Sequence, residues 1–255
     1  MALQIETIPC LSDNYAFLAH DAETGQTAVI DVPEAAPILA ALERTGWTLS
    51  HVFLTHHHYD HVDGLTELLA AAPATVIGAA ADAHRLPPLD VAVGEGDSVA
   101  VGSQTGHVLD VSGHTVGHIA IHFPESSVAF TADSLMALGC GRVFEGTMPQ
   151  MWESLQKLAA LPQDTVIYSG HEYTQSNARF ALSVDPENEA LQKRAAEIDA
   201  ARAENRPTVP STLAEELATN PFLRAGNSIL QAQLGMEGVD AETTFAEIRQ
   251  RKDRF

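Results

Sequence analysis

The stretch Thr55-His56-His57-His58-Tyr59-Asp60-His61 holds five potential metal ligands within six residues. The apolar run before it predicts a strand that ends at this stretch. His56 and His58 are two residues apart, so in extended chain their side chains point the same way and can reach one ion. Asp60 and His61 follow in the turn. Because neutral imidazole and carboxylate suit Zn²⁺, Fe²⁺ or Mn²⁺, the stretch predicts a metal site.

Two ions would need more ligands than this stretch offers, and three candidates lie further along the chain. His114, Asp133 and His171 each follow a predicted strand. Open α/β sheets place their sites at the carboxyl ends of strands, so we expect these side chains to join the site. Strand alternation turns His57 to the opposite face, where we expect a supporting role. The histidines predicted to be ordinary core or surface residues are His20, His51, His84, His107, His118 and His122.

The wider pattern predicts two regions of different class. Short strands alternate with helices as far as the strand over 165–168, and helices dominate after it. We therefore predict a mixed α/β domain over residues 1–172 and a smaller helical domain over 173–255. Within the helical part, Asp185 and Pro186 predict the N-cap and first turn of a helix.

Composition excludes several classes of protein. The 255 residues are 45% hydrophobic and 19% charged, an ordinary globular balance. Lys and Arg number 14 against 34 Asp and Glu, a net charge of −20 that disfavours nucleic acid and anionic membrane surfaces as partners. No apolar run reaches the ~18 residues of a transmembrane helix, and the first residues do not resemble a secretory signal. We expect a cytoplasmic monomer with two reduced, packed cysteines.

The motif His-x-His-x-Asp-His over residues 56–61, followed by His114, Asp133 and His171, resembles the metallo-β-lactamase superfamily. Other stretches are similar to the glyoxalase II (hydroxyacylglutathione hydrolase) family within it, and the resemblance covers essentially the whole chain. These stretches are Leu11-Ser12-Asp13-Asn14-Tyr15, Gly139-Cys140-Gly141-Arg142-Val143-Phe144-Glu145-Gly146-Thr147, Gly170-His171-Glu172-Tyr173-Thr174, Pro207-Thr208-Val209-Pro210-Ser211-Thr212, Asn220-Pro221-Phe222-Leu223-Arg224 and Arg251-Lys252-Asp253-Arg254-Phe255.

The resemblance implies an αββα sandwich followed by the helical domain, with two divalent metal ions per chain. Zinc is the first candidate, and iron and manganese stay open. One ion would take His56, His58 and His114, and the other Asp60, His61 and His171, with Asp133 bridging both. Asp60 and Asp133 would be the catalytic carboxylates. A hydroxide held by the metals would attack the thioester of S-D-lactoylglutathione, giving D-lactate and glutathione in methylglyoxal detoxification.

The resemblance also implies a glutathione site formed by Arg142, Phe144, Tyr173 and Arg224. Arginine suits the tripeptide carboxylates because its planar fork can donate two hydrogen bonds. Many family members have Tyr where Phe144 stands, and many carry a second basic residue shortly after Arg224. Both features are absent here, so we expect substrate affinity to be affected more than reaction type.

Other functions remain as alternatives. A β-lactamase would need export, a nuclease would favour a basic surface, and a persulfide dioxygenase would use one iron and fewer ligands. A non-enzymatic binding protein on the same fold would be expected to lose ligands, and none is lost. A Ser-His-Asp hydrolase has little support, because the chain contains no Gly-x-Ser-x-Gly.

Overall fold

The computed structural model describes residues 1–255, and the chain forms two compact units. The first comprises Met1–Asp110 and Val116–Thr131, and the second Val111–Thr115 and Ala132–Phe255. The predicted mixed α/β class with a helical C-terminal region is confirmed. The predicted boundary between residues 172 and 173 falls inside the second unit and stays a prediction.

The first unit contains two sheets and three helices. Its strands are β1 (Gln4–Cys10), β2 (Asn14–Asp21), β3 (Gln26–Ile30), β4 (Thr48–Leu54), β5 (Thr75–Ala79), β6 (Val91–Val93), β7 (Ser98–Val101), β8 (Gln104–Asp110), β9 (Ile119–Phe123) and β10 (Val128–Ala132). Its helices are α1 (Ala35–Thr45), α2 (Tyr59–Val62) and α3 (Leu65–Ala71). Short 3₁₀ turns cover Ala80–Asp82 and Pro124–Ser126.

The first sheet runs in the order β1-β2-β3-β4-β5-β6. Its first three strands are antiparallel and its last four pair in parallel. Parallel neighbours need a crossover, which α1 supplies between β3 and β4, and α2 with α3 between β4 and β5. Helix α1 buries Ile38 and Leu42 and ends at Gly46, whose φ of 72° suits glycine.

The second sheet of this unit is antiparallel, in the order β10-β9-β8-β7. It packs on the first sheet through aromatic side chains. The rings of Phe17 on β2 and Phe130 on β10 lie 5.8 Å apart, and Phe123 meets Phe130 at 6.2 Å. All three side chains are buried. Burial of a large aromatic side chain contributes roughly 1.5–3 kcal/mol, so these rings help to hold the two layers together.

The second unit is mainly helical. Its strands are β11 (Leu135–Met136), β12 (Gly139–Cys140), β13 (Val166–Ser169) and β14 (Ser211–Thr212). Its helices are α4 (Met148–Ala159), α5 (Thr174–Val184), α6 (Glu189–Ala203), α7 (Leu213–Thr219), α8 (Ser228–Leu234) and α9 (Ala241–Arg254). None of the nine helices of the chain combines the length and apolar composition that a membrane span requires.

Two contacts organise the second unit. Phe222 lies between Phe180 of α5 and Phe245 of α9, at centroid distances of 6.0 and 6.1 Å. Glu216 of α7 is fully buried and accepts hydrogen bonds from Arg194 and from the backbone N–H of Leu138. A buried carboxylate is tolerated only with such partners, so Glu216 fixes the segment that leads into β12.

The N-cap predicted at Asp185 is wrong. Helix α6 begins at Glu189, and its N-cap is Asn188, whose side chain accepts from the N–H of Leu191 at 3.1 Å. Asp185 instead ends α5, and its carboxylate accepts from Arg224 and Asn188. Asp185 therefore forms a tertiary ion pair with Arg224 instead of capping the helix as the local sequence predicts.

Both cysteines are buried and outside any disulfide, as predicted. Burial, together with the charge of Glu34, raises the pKa of Cys10 to about 11, and burial raises the pKa of Cys140 to about 11.

The raised pKa values of the two cysteines predict slow alkylation. At pH 8, the ionised fraction of a thiol with an ordinary pKa near 9 is about 100-fold larger than that of a thiol with a pKa of 11, and only the thiolate is alkylated. We expect iodoacetamide to label both cysteines at least ~100-fold more slowly in the native protein at pH 8 than in denaturant. Rapid native labelling of either would contradict the buried placement.

Candidate metal centre

The predicted histidine stretch forms a compact group of rings in the first unit. Strand β4 ends at Leu54, and α2 begins at Tyr59. The ring of His56 lies 4.8 Å from that of His58 and 4.2 Å from that of His61, measured between centroids. His56 and His61 are fully buried. The turn from strand to helix therefore brings three of the predicted ligands of this stretch together.

Asp31 orients this group, a role that sequence reasoning missed. Its carboxylate lies 2.7 Å from Nδ1 of His61, and it accepts from the backbone N–H and the hydroxyl of Thr55 at 2.9 and 2.8 Å. Asp31 follows β3 and has a φ of 58°, a conformation that Asp and Asn adopt more readily than most residues. An ionised carboxylate only accepts, so His61 donates from Nδ1 and its Nε2 is left to bind metal. Ligand atoms of Asp31, His56 and His61 lie within 4.8 Å of one another.

Asp60 is held in place by Asn14, which belongs to the stretch Leu11-Ser12-Asp13-Asn14-Tyr15. The side-chain amide of Asn14 donates to both the backbone carbonyl and the carboxylate of Asp60, each at 3.0 Å. Asp60 Oδ2 lies 3.9 Å from Nε2 of His61. Asn14, the first residue of β2, therefore fixes the carboxylate of Asp60 beside His61, its predicted neighbour in the ligand set.

A second group of predicted ligands lies in the second unit. Oδ2 of Asp133 is 3.4 Å from Nε2 of His114 and 3.3 Å from Nε2 of His171. Nδ1 of His114 lies 2.8 Å from the carbonyl oxygen of Arg142. Because a carbonyl only accepts, that nitrogen carries the proton, and in the neutral ring Nε2 presents a lone pair toward Asp133.

The donor set of this group fits a divalent cation. A lone pair and a carboxylate repel each other unless a proton or a cation lies between them. Ligand atoms at tetrahedral corners about 2.1 Å from a cation stand about 3.4 Å apart, and the separations of Asp133 from His114 and His171 are 3.4 and 3.3 Å. The residues present therefore suit the metal that their chemistry predicts.

Gly141 makes the close packing of this group possible. A Cβ at this position would stand 1.9 Å from the backbone oxygen of Asp133 and 3.0 Å from Nδ1 of His114. Only a residue with no side chain allows the chain to pass here. The glycine-rich stretch around Cys140 thus has a packing reason inside the site.

Three of the four predicted substrate residues lie beside this group. The ring of Phe144 is 5.3 Å from that of His114, and Tyr173 stacks on His171 at 4.6 Å with an interplanar angle of 5°. The guanidinium of Arg142 lies over the Phe144 ring at 5.5 Å. Arg142 and Phe144 are mostly exposed. They present an aromatic and cationic surface next to the predicted ligands.

Arg224 has a different environment from these three. Its side chain is 18% exposed, and its Nε donates to the buried carboxylate of Asp185 at 3.1 Å. An arginine already paired with a carboxylate has less to offer a second one. The predicted role of Arg224 in binding substrate stays a prediction.

Helix α9 brings Arg249 to the same glycine-rich segment. Arg249 donates to the backbone oxygen of Cys140 at 2.8 Å and to Asp253 at 3.0 Å. Lys252 lies over the rings of Phe180 and Phe255, and burial followed by the charge of Arg249 lowers its pKa to about 8. Sequence reasoning matched the end of the chain to a family without giving these residues a role. The sequence signal for such a role was the series of basic residues along α9.

Sequence reasoning missed two further neighbours of the histidine group, His118 and Asp82. The ring of His118, predicted to be an ordinary core or surface residue, stacks on that of His56 at 4.6 Å and 17°. Nδ1 of His57 lies 2.9 Å from Oδ2 of the buried Asp82. Periodicity predicted that His57 would turn away from the ligands, but no sequence signal connected it to Asp82.

Comparisons with known proteins give a consistent result. A family model described as "Metallo-beta-lactamase superfamily" matches residues 21–171, and one described as "Hydroxyacylglutathione hydrolase C-terminus" matches residues 172–255. A hydroxyacylglutathione hydrolase of Ruegeria pomeroyi is 67% identical over 255 residues, 100% of both chains.

Solved structures agree on the fold. ETHE1 from Myxococcus xanthus is 27% identical with a TM-score of 0.67, over 98% of this chain and 90% of that one. TTHA1623, solved in a di-iron-bound form, is 26% identical with a TM-score of 0.61, over 86% of this chain and 100% of that one.

Proposed function

The chain belongs to the hydroxyacylglutathione hydrolases of the metallo-β-lactamase superfamily, and from this premise we propose that it hydrolyses S-(2-hydroxyacyl)glutathione thioesters. S-D-lactoylglutathione is the proposed substrate, and D-lactate and glutathione are the products. The observation that carries the proposal is the placement of Asp133 between the Nε2 atoms of His114 and His171, beside Arg142 and Phe144.

We further propose that the seven predicted ligands hold two divalent cations. Inside each unit, the hydrogen bonds of His61 and His114 through Nδ1 support this, because they leave Nε2 as the ligand atom. TTHA1623 was solved with two irons. Zinc is our first choice, while iron and manganese suit the same ligands. When bound, such ions lower the pKa of water toward neutrality and polarise a carbonyl. The proposed ligands are His56, His58, Asp60, His61, His114, Asp133 and His171.

The protein side chains contribute position and charge. Asp133 Oδ2 lies 3.4 and 3.3 Å from the Nε2 atoms of His114 and His171, and Asp60 is kept in place by Asn14. Phe144 and Tyr173 provide apolar surface against the thioester, and Phe144 offers no hydroxyl to glutathione. Arg142 is suited to a glutathione carboxylate, since its planar guanidinium is exposed and lies 3.6 Å from Asp253, a looser contact than the 3.1 Å pair of Arg224 with Asp185. The leaving thiol has a pKa of ~8.5, so it departs as thiolate without a dedicated acid.

The remaining predictions concern organisation and setting. We propose that residues 1–172 carry the chemistry and that the helical residues 173–255 contribute to substrate binding. We also propose a cytoplasmic monomer. A net charge of −20 supports the absence of a nucleic acid or anionic membrane partner. Light scattering of the purified protein at micromolar concentration would test the monomer, and a dimer mass would refute it.

Glutathione recognition is tested with a matched pair of thioesters. The two substrates are the S-D-lactoyl thioesters of glutathione and of N-acetylcysteamine. They have the same acyl group, but only the glutathione thioester carries the charges of the tripeptide. We expect kcat/KM to be at least about 100-fold higher for the glutathione ester, because two charge-assisted contacts are lost in the other. Equal values would show that the chain is a general thioesterase.

The two predicted arginines are separated by a set of three variants. Arg142→Ala is expected to raise KM about tenfold, the effect of losing one charged hydrogen bond. Arg224→Ala is predicted to raise KM and also to lower the melting temperature, because Asp185 is left buried without its cation. Asp185→Asn breaks the same pair but keeps the arginine. A KM that rises equally in Asp185→Asn and Arg224→Ala, or that Arg224→Ala leaves unchanged, would remove Arg224 from the substrate site.

A further inference from the structure

Asp82 is a buried carboxylate at the end of the 3₁₀ turn that follows β5. Only 1% of the residue is exposed. Oδ1 accepts from Nε of Arg85 at 3.1 Å, and Oδ2 lies 2.9 Å from Nδ1 of His57. A buried charge of this kind is costly unless paired, and Arg85 supplies the countercharge. The carboxylate is therefore anchored on one side and free to hold His57 on the other.

His57 stands between two predicted metal ligands in the chain. Since an ionised carboxylate only accepts, His57 donates to Asp82 from Nδ1. Its ring meets that of His58 at 5.0 Å and an angle of 65°. All three histidines lie in the short segment between the end of β4 at Leu54 and the start of α2 at Tyr59. Because His57 is the chain neighbour of both predicted ligands, holding its ring against Asp82 restrains the backbone from which His56 and His58 project.

Asp82 also lies against the segment that carries His118. A Cβ at Gly117 would stand 2.3 Å from Cγ of Asp82, so only glycine permits this approach. The next residue, His118, stacks on His56, and the N–H of Ile119 donates to the backbone oxygen of Thr55 at 3.0 Å. The same carboxylate thus touches the two segments that flank the ring of His56.

We propose that Asp82, acting through His57, is a positioning residue for the metal ligands His56 and His58. The inference rests on the proposed metal centre. Groups that orient a ligand without binding metal typically change metal affinity 10–100-fold when removed. Asp82 lies one contact further from the metal than such groups, so the lower end of that range applies.

The test measures zinc affinity by competition with a chromophoric chelator. We expect Asp82→Asn to weaken zinc binding about tenfold. Asp90→Asn is the matched control, because the Asp90 carboxylate accepts from the N–H of Val76 on β5 at 2.8 Å and so supports the same strand. The control is expected to keep wild-type affinity. Chemical unfolding of the metal-free proteins shows whether either substitution merely loosens the fold.

A second pair of variants keeps the proposal falsifiable. The amide of His57→Asn can donate to Asp82 as Nδ1 does, whereas His57→Leu cannot. We expect near wild-type zinc affinity in the first and about tenfold weaker binding in the second. Tight zinc binding by wild type, Asp82→Asn and His57→Leu alike would overturn this inference and leave the metal centre intact. Absence of zinc binding by the wild type would overturn both.

Discussion

Replacing Asp133 with alanine is expected to lower kcat at least about 1000-fold, because loss of several kcal/mol of charge stabilisation costs a factor of ten per 1.36 kcal/mol. The substitution also leaves the Nε2 atoms of His114 and His171 with no carboxylate between them. Metal content should fall in the same preparation. The lower kcat and the lower metal content have the same cause, because the Asp133 carboxylate lies beside both His114 and His171.

The measurement is steady-state turnover of the variant with metal content determined by elemental analysis. Asp199→Ala is the control, since Asp199 is an exposed carboxylate in α6 that accepts from Gln175. We expect it to keep wild-type turnover. His58→Ala should resemble Asp133→Ala if both side chains bind metal. Near-normal activity in either would exclude the two-ion assignment.

Asp31→Asn is expected to weaken zinc binding by 10–100-fold, the usual effect of losing a carboxylate that orients a metal-bound histidine. Asparagine keeps the size of the side chain and tolerates the positive φ of this position. It cannot present two charged oxygens to His61 and Thr55 together. The loss therefore concerns charge and orientation, with the backbone conformation retained.

Asp21→Asn is the control for Asp31→Asn. Asp21 is also buried at the end of a strand, and its carboxylate accepts from the N–H of Ser103 at 2.6 Å and of Glu23 at 3.0 Å. These bonds lower the pKa of Asp21 to about 2, so its contribution to folding is present at neutral pH and is lost as pH falls from about 4 to about 2. We expect Asp21→Asn to lower stability at pH 7 and to leave zinc affinity unchanged. Equal zinc affinity in Asp31→Asn and wild type would show that Asp31 does not orient His61.

The histidine group could be predicted because its members are close in sequence. A strand followed by a turn places His56, His58 and His61 together whatever the rest of the chain does. Asp133 and His171 were predicted from their positions after apolar strands. The structure brings these two and His114 together within one unit although they are distant in sequence.

The groups behind the ligands could not be predicted in the same way. Asp31 also follows a strand, but nothing local shows that its carboxylate faces His61. Asp82 reaches His57 through packing that depends on Gly117 having no side chain. The misplaced N-cap at Asp185 has the same origin, because Arg224 determines the role of that carboxylate. Local propensity yields to tertiary pairing at such positions.

The most direct test of the account is hydrolysis of S-D-lactoylglutathione, followed by loss of thioester absorbance. The purified protein is assayed as isolated, after chelator treatment and gel filtration, and after zinc is returned. We predict rapid turnover, its loss on chelation, and its recovery when two zinc ions per chain are restored. Turnover that persists in metal-free protein, or no turnover in a metal-replete sample, would contradict the proposed reaction.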